Sequence, residues 1–382
     1  MDDSKRSESV PGTACCQPDS NLADLTAGID TFVPSLDHAW IVGRVQTAIG
    51  EVPVVSTSLQ SSDRIGSWKA RWGIGRMSYV VAPGLYAIGK PTEKSHVFVS
   101  ANYKMSFDRV RSELKNIDAW IMVIDTKGIN VWCAAGKGTF GTDEIVRRIA
   151  AVRLSEVVLH RRLILPQLGA PGVRAHEVKN KSGFHVIYGP VRASDIPAYL
   201  EAGFKATPEM RRIRFPLRGR IVLAPIELRQ TEKYLLIVAA CMLLLSGLGP
   251  GIYSLDRVVS FGLVSVVLCV LTAVAGAILP PLLLPYLPGK SFSVKGVWIG
   301  IAMSALLGWI YLGNPDLLRS WFSAAGWFCV MTAVTSFMAM NFTGSSTYTS
   351  LSGVLREMRI AVPSQIIVAV AGVGLWTAGL FV

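Results

Sequence analysis

Cys133 is the residue whose type and setting are best suited to chemistry. It lies in Asn130-Val131-Trp132-Cys133-Ala134-Ala135-Gly136-Lys137, at the end of an apolar run and ahead of a glycine-containing turn into a helix. A thiol near a helix N-terminus and a lysine is favoured as thiolate, the form that attacks electrophiles or ligates metals. Ala134, Ala135 and Gly136 would let a large flat group approach the backbone. Three familiar chemistries match poorly. A P-loop would need glycine at Val131 and serine or threonine at Gly138. A thiol nucleophile needs a base, and His160, His176 and His185 all lie downstream with nothing in the sequence to bring them close. Zinc needs three or four ligands, and one cysteine is at hand. A buried cysteine beside a core tryptophan is the plain structural alternative.

The other cysteines, Cys15, Cys16, Cys241, Cys269 and Cys329, follow no repeated spacing. Neither a disulfide framework nor a CxxC iron-sulfur or zinc site is expected. Cys15 and Cys16 belong to a polar tail over residues 1–31, read as disordered, with no apolar segment ahead of them to make a signal peptide. The last three fall in apolar spans, where cysteine is a small packing residue.

The elements that must position Cys133 read as alternating strands and helices. His96 to Ala101 and Trp120 to Asp125 are apolar strands, with a helix over Phe107 to Leu114 capped by Ser106. Ile129 to Trp132 continues as extended chain. Thr142 then caps a helix with Asp143 and Glu144 in its first turn and Ile145, Ile149 and Val152 on one face. Arg162 to Leu165 and Phe184 to Tyr188 are further strands, followed by a short helix capped by Ser194 or Asp195. Val52 to Val55 is a short strand that Pro53 would confine to a sheet edge. The alternation predicts an α/β, Rossmann-like, mainly parallel sheet over residues 32–210, with ligands at the carboxyl ends of the strands. Cys133 falls at such an end.

Composition adds a second part. The 382 residues are 51% hydrophobic and 17% charged, and a mean hydropathy of +0.42 is too apolar for a soluble chain. Five apolar spans are read at Tyr234 to Leu248, Val259 to Leu282, Val297 to Leu312, Trp321 to Met340 and Ile366 to Phe381. They form an all-α transmembrane domain over residues 233–382, after a basic linker at 211–232. Of the 38 lysines and arginines, 31 precede Lys233. The cluster Arg211, Arg212, Arg214, Arg218 and Arg220 stands just before the first span, with Lys290, Lys295, Arg356 and Arg359 in alternate loops. Positive-inside anchoring accounts for this better than nucleic acid, for which no recognition motif is present. It places the α/β domain in the cytoplasm, on the inner face of a multi-pass cell-membrane protein, and the C-terminus outside. Charges are nearly absent within the spans, which argues against an ion-coupled transporter. Asn341 to Ser350, followed by a short surface helix at Val354 to Arg359, reads as a long hydroxyl-rich link.

Asn130 to Lys137, followed by Gly138-Thr139-Phe140-Gly141-Thr142, resembles the cap region of the corrinoid protein of the bacterial mercury-methylating pair. That family is itself similar to the corrinoid iron-sulfur protein of the acetyl-CoA pathway. The resemblance runs from about Pro83 to Gly203 and resumes in the membrane region. It implies a cobalamin-type corrinoid bound face-on against the cap, with Cys133 thiolate as lower axial ligand to cobalt. Asn130, Val131, Trp132, Ala134, Ala135, Gly136 and Lys137 would line the cofactor. Ser100 sits where the family places a small hydroxyl residue on the corrinoid side. Asn102 is carried over with it, although the turn Ala101 to Lys104 is equally readable as one whose Asn and Tyr satisfy local backbone groups. The implied activity is an anaerobic methyl transfer from a methyl-Co(III) corrinoid to Hg(II), giving methylmercury. The implied partners are a ferredoxin-like protein with two [4Fe-4S] clusters as electron donor and a folate-type methyl donor or its methyltransferase. Two other functions stay open: a membrane-anchored methyl carrier of one-carbon or acetyl-CoA metabolism, and a transporter or sensor with a soluble ligand-binding domain.

Overall fold

Apolar runs too continuous to be half-exposed dictate the centre of the first unit. The strands are β1 (Ile41–Thr47), β2 (Gly50–Val55), β3 (Gly84–Ile88), β4 (His96–Ala101), β5 (Ala119–Ile124), β6 (Arg162–Leu165) and β7 (His185–Tyr188). Every residue of β3 and β5 is buried, as expected of strands covered on both faces. The computed structural model describes residues 38–345 and 351–382. The chain divides into two units, one of residues up to Ala70 and Ile74–Arg214, the other of Arg71–Gly73 and Phe215–Val382. The expected tail at 1–31, with Cys15 and Cys16, and residues 346–350 lie outside the described residues.

The sheet order is β1-β2-β3-β5-β4-β6-β7. β5, β4, β6 and β7 are mutually parallel, whereas β1 pairs antiparallel with β2 and β3 antiparallel with β5. The architecture is therefore a mainly parallel α/β sheet. Pro53 does not make β2 an edge: β1 lies outside it, and β2 meets β3 only at Val54 opposite Ala87. So sparse a ladder asks nothing of the missing N–H.

Helices α1 (Ser61–Arg71), α2 (Lys104–Glu113), α3 (Val131–Lys137), α4 (Thr142–Ala151), α5 (Ala175–Ser182) and α6 (Ile196–Glu201) complete the unit. Strand alternation separates two cores. Val97, Val99, Ala101, Trp120, Met122 and Ile124 meet Val131, Ala134, Ala135, Ile145 and Ile149 from α3 and α4. Phe98, Ile121 and Val123 meet Phe107 of α2 on the other face. The connections leaving β4 and β5, which are neighbours, thus turn to opposite faces. Such a switch point opens a crevice at the carboxyl ends of the strands.

Two helix starts differ from expectation, and a third stands where expected without its side-chain cap. α2 begins at Lys104 after Tyr103 rather than at Ser106, because Lys104 is fixed by buried ion pairs. α4 is preceded by Gly141, and Thr142 is its first residue, its Oγ1 accepting from the Arg174 N–H at 2.9 Å. Asp195 precedes α6 but makes no side-chain cap.

The ion pairs of Lys104 form a closed square. Its Nζ lies 2.7 Å from Asp63 and 2.5 Å from Asp108, and Arg111 reaches the same two carboxylates at 2.7 Å each. Burial pushes the Asp63 carboxyl up, but hydrogen bonds from Lys104 and the Gln60 N–H, with the charges of Lys104 and Arg111, outweigh it and hold it below the usual carboxylate range. A carboxyl lowered in the folded state stabilises above its unfolded pKa, about 3.9, and that contribution is lost as pH falls through the folded value. Denaturant midpoints measured from pH 7 to pH 2 are therefore expected to fall in the acid limb. Asp63→Asn should be less stable at pH 7 and show a shallower acid dependence; an unchanged acid limb would contradict this.

The second unit is helical: α7 (Leu217–Ile221), α8 (Ala224–Leu245), α9 (Leu263–Leu283), α10 (Phe292–Gly313), α11 (Trp321–Ser345) and α12 (Leu351–Ala378). Among the described residues four helices are long and apolar enough to cross a membrane, over Leu255–Leu283, Phe292–Gly313, Trp321–Phe342 and Gly353–Ala378. The sequence reading of five is corrected at its first member. Tyr234 to Leu245 is the second half of α8, whose first half carries Glu227, Arg229, Glu232 and Lys233. That apolar half rises about 18 Å, short of a roughly 30 Å hydrocarbon core. Two further expectations change: α11 continues through Asn341 to Ser345, and Val354 to Arg359 is the start of the long α12. The helices pack through small residues. A Cβ on Gly300 of α10 would stand 2.5 Å from the Thr332 Cα, and one on Gly296 2.4 Å from the Thr335 carbonyl.

Candidate functional site

The carboxyl ends of β4 and β5 lie side by side, Ala101 opposite Ile124, and the next residue of each strand builds the crevice. Asn102 is fully buried. Its Nδ2 donates to Asp125 Oδ1 at 3.1 Å, and its Oδ1 accepts from the Thr126 N–H at 3.1 Å, the Thr126 hydroxyl at 2.8 Å and the Gly128 N–H at 3.0 Å. Asp125 in turn accepts from the Lys127 N–H at 2.9 Å and pairs with Lys127 Nζ at 2.7 Å. Glu144 ties the far side down, its Oε1 accepting from the Asp125 N–H at 2.8 Å and facing Arg148 at 3.1 Å. Lys127 and Gly128 both take positive φ, 58° and 71°, the reversal that lets the Thr126 hydroxyl reach the Ile129 carbonyl at 2.7 Å.

This loop delivers Asn130 as N-cap of α3, where its Oδ1 accepts from the Cys133 N–H at 2.9 Å. Cys133 is therefore the third residue of a short helix, not the end of a strand. The β-branched and aromatic residues of Ile129 to Trp132 favour extended chain, and the cap overrides them. α3 ends at Gly138 in the left-handed region, φ 80°, and the chain folds back so that the Phe140 N–H reaches the Ala134 carbonyl at 3.1 Å.

Burial sorts the motif into two sides. Val131, Ala134 and Ala135 are buried in the core. Trp132 and Cys133 are half-buried, and Gly136 and Lys137 are exposed. The outward group falls at positions i, i+1, i+4 and i+5, one face of a helix. Ala134 and Ala135 are thus turned away from the approach they were expected to line, and Gly136 remains on it. A Cβ on Gly136 would meet nothing within 4 Å, so the space above this position is open. Cys133 takes part in no disulfide.

Ser100 does not join this group. It is fully buried, paired with Val123, with its hydroxyl 3.4 Å from the Ala101 carbonyl. By alternation it shares the face of Phe98 and Val123, opposite α3. Asn102 supports the site from below rather than facing it, as its saturated hydrogen bonds require. His96 and His160 lie at the amino end of the sheet, lining a small cavity with Arg162 and Phe204. Burial, with the charges of His160 and Arg162, holds His96 below the ordinary histidine range. Among the described residues no group of three or more His, Cys, Asp or Glu is placed to hold a metal.

Sequence reasoning missed the floor of the site. The turn Gln167–Gly172 packs under α3, and a Cβ on Gly172 would stand 2.3 Å from the Phe140 carbonyl and 3.0 Å from the Ala135 Cα. A glycine just after a proline, 35 positions beyond the motif, carries no signal of that contact. The roles of Glu144 and Thr126 were equally silent, because each depends on a partner from another strand or helix.

Residues 75–200 match the family described as CO dehydrogenase/acetyl-CoA synthase delta subunit. Over this stretch the chain is similar to subunits of acetyl-CoA decarbonylase/synthase complexes and to a corrinoid/iron-sulfur protein. The chain is 33% identical over 123 residues to the acetyl-CoA decarbonylase/synthase complex subunit gamma of Methanopyrus kandleri, and 31% over 123 residues to that of Archaeoglobus fulgidus. It is 32% identical over 120 residues to the corrinoid/iron-sulfur protein large subunit of Moorella thermoacetica. These alignments cover 31% or 32% of this chain and 26% of each relative. The chain therefore spans about a quarter of the length of the curated relatives it matches. The matched stretch contains Ser100, Asn102 and the whole of Asn130 to Lys137; it excludes Asp63 and the helical unit.

The cap yields a specific expectation. Asn130→Ala removes the acceptor for the Cys133 N–H and should cost about 1 kcal/mol, the usual worth of an N-cap. Asn130→Asp or Asn130→Ser should restore most of it. Chemical denaturation of the three variants measures this, and equal midpoints for alanine and wild type would show that the cap does not hold α3.

Proposed function

We propose that this chain is a membrane-anchored corrinoid protein that carries a methyl group, and that its acceptor is Hg(II), giving methylmercury. The supporting observation is the outward face of α3. Cys133 stands there beside an open Gly136, in a unit related to corrinoid/iron-sulfur proteins. The residues suit the group: a soft sulfur donor, no Cβ at Gly136 to keep a planar ring away, and Lys137 one turn beyond Cys133. Bound against this face, a corrinoid supplies a cobalt centre able to carry the methyl group.

The chain's own contribution is binding and orientation. Cys133 thiolate would hold the cobalt, a soft donor matched to a soft centre. A strongly donating thiolate would favour methyl transfer to a soft electrophile such as Hg(II). Asn130 fixes the backbone at Cys133, and Asn102, Thr126 and Glu144 fix the loop that presents Asn130. Trp132 flanks the thiol, and Val131, Ala134 and Ala135 anchor the helix from behind. Ser100 and Asn102 act by shaping the crevice rather than by touching the ring. Electrons come from a ferredoxin-like partner with two [4Fe-4S] clusters and the methyl group from a folate-type donor or its methyltransferase. The helical unit anchors the protein in the cell membrane with the α/β unit on the cytoplasmic side.

A second reading is favoured by the names of the relatives: the same carrier passing its methyl group to acetyl-CoA assembly. The four apolar helices favour the anchored, separate role instead. The test is the cobalt content and anaerobic visible spectrum of the full chain in detergent after reconstitution with cobalamin. About one cobalt per chain is expected, and a folded chain that takes up none would overturn both readings. Supplying Hg(II) or an acetyl-CoA synthase to the methyl-loaded protein then separates them.

A further inference from the structure

We propose that Arg220, at the end of the helical unit, seats the phosphate of an anionic phospholipid headgroup. This rests on the helices crossing a membrane and is independent of the corrinoid reading. Arg220 is 9% exposed, and its Nε is sealed without a hydrogen-bond partner. No ion pair or side-chain hydrogen bond to Arg220 occurs among the described residues. The terminal nitrogens are not among the sealed atoms, so the residual exposure leaves the outer fork of the guanidinium reachable. A buried guanidinium without a counter-charge is strongly unfavourable, so an anionic partner is expected from outside the chain.

The neighbouring carboxylates do not fill that role. Glu227, two turns further on, is buried and has an interaction of its own. Glu357 accepts from the Ser293 N–H at 2.6 Å. Phe215 and Leu223, which bracket Arg220 in sequence, pack against Leu284, Phe292 and Phe342. The Phe215 and Phe342 rings are 6.0 Å apart. Arg220 therefore lies where α9 ends and α10 begins. Exposed Arg218, Lys290, Arg356 and Arg359 accompany it, the last two flanking Glu357. Lys295 is spent on the Leu284 carbonyl at 2.6 Å.

Three features select a lipid phosphate. The planar fork of arginine matches two phosphate oxygens. The surrounding exposed cations attract an anionic leaflet surface. The floor of Leu284, Phe292 and Phe342, with Tyr286 82% exposed in the adjoining turn, is the mixed apolar and aromatic setting of a membrane interface. Arg257, between α8 and α9, offers no comparable fork, because it is spent on the Gly247 and Pro250 carbonyls.

The full chain in mild detergent is titrated with phosphatidylglycerol, phosphatidylcholine or inorganic phosphate while thermal unfolding is followed. Phosphatidylglycerol alone is expected to raise the midpoint by several degrees. Its half-saturating concentration should rise at least about tenfold in Arg220→Leu, with Arg220→Lys in between. Native mass spectrometry of the unaltered protein should show phosphatidylglycerol retained under conditions that strip phosphatidylcholine, a readout that does not depend on any variant folding. Equal shifts with both lipids, or an unchanged titration in a folded Arg220→Lys, would overturn the proposal. Stabilisation by inorganic phosphate alone would overturn the headgroup and reassign the fork to a free anion.

Discussion

Cys133→Ala is expected to lower methylmercury formation by more than about a hundredfold, because losing even an outer-shell partner of a metal ligand costs about 10–100-fold and this change removes the proposed ligand itself. The fold should barely notice. Cys133 sits half-buried on the outward face of α3, its N–H stays bonded to Asn130, and alanine is the better helix former. Stability is therefore expected to stay within about 1 kcal/mol of wild type. The full chain in membranes, supplied with a reductant, a methyl donor and Hg(II), gives the rate. The visible spectrum of the reconstituted protein gives the ligation, which should change when the thiolate is lost. Wild-type methylation in Cys133→Ala with an unaltered spectrum would remove Cys133 from the cobalt. A lost rate with an unaltered spectrum would instead place the thiol in the handling of Hg(II).

The parts of the fold that were legible depend on one local pattern each. β5 is an uninterrupted apolar run, β4 and β6 are mainly apolar, and the face Ile145, Ile149 of α4 repeats at helical spacing. Cys133 stands out in the sequence as the candidate because its neighbours are small and its segment distinctive. Partners distant in sequence decided the rest. Ile129 to Trp132 has the composition of a strand, but Asn102, fixed on another strand, shapes the loop and Asn130 starts a helix. Ala134 and Ala135 look like room for a ligand until α3 is known to turn them inward. α8 shows the same limit: Tyr234 to Leu245 is apolar enough to read as a span until the helix is seen to start in a charged half at Ala224.

Asn102→Ala should be the most destabilising single change at the site, and its effect separates a supporting residue from one that touches the cofactor. The substitution strands the Thr126 and Gly128 N–H groups and the Thr126 hydroxyl, all of which donate to Asn102 Oδ1, and takes the Nδ2 donor from Asp125. Thr126 retains the Ile129 carbonyl and Asp125 retains Lys127, so the principal loss falls on two buried backbone donors. Each unsatisfied donor costs about 1–3 kcal/mol, which gives an expected loss of roughly 2–6 kcal/mol, a large share of a domain's usual 5–15. Asn102→Asp keeps an acceptor for those N–H groups but sets a second carboxylate 3 Å or so from Asp125, where like charges repel. It should be milder than alanine, because the two N–H groups keep an acceptor, yet less stable than wild type, because two carboxylates then face each other. Denaturant midpoints of both variants at pH 5 and pH 7.5 test the order. If Asn102 acts through the loop, corrinoid retention falls in step with stability across the two variants, because the loop that presents Asn130 and Cys133 loosens. Full stability with lost corrinoid in Asn102→Ala would instead put the Asn102 amide in direct contact with the cofactor and refute its role as the buried tie beneath α3.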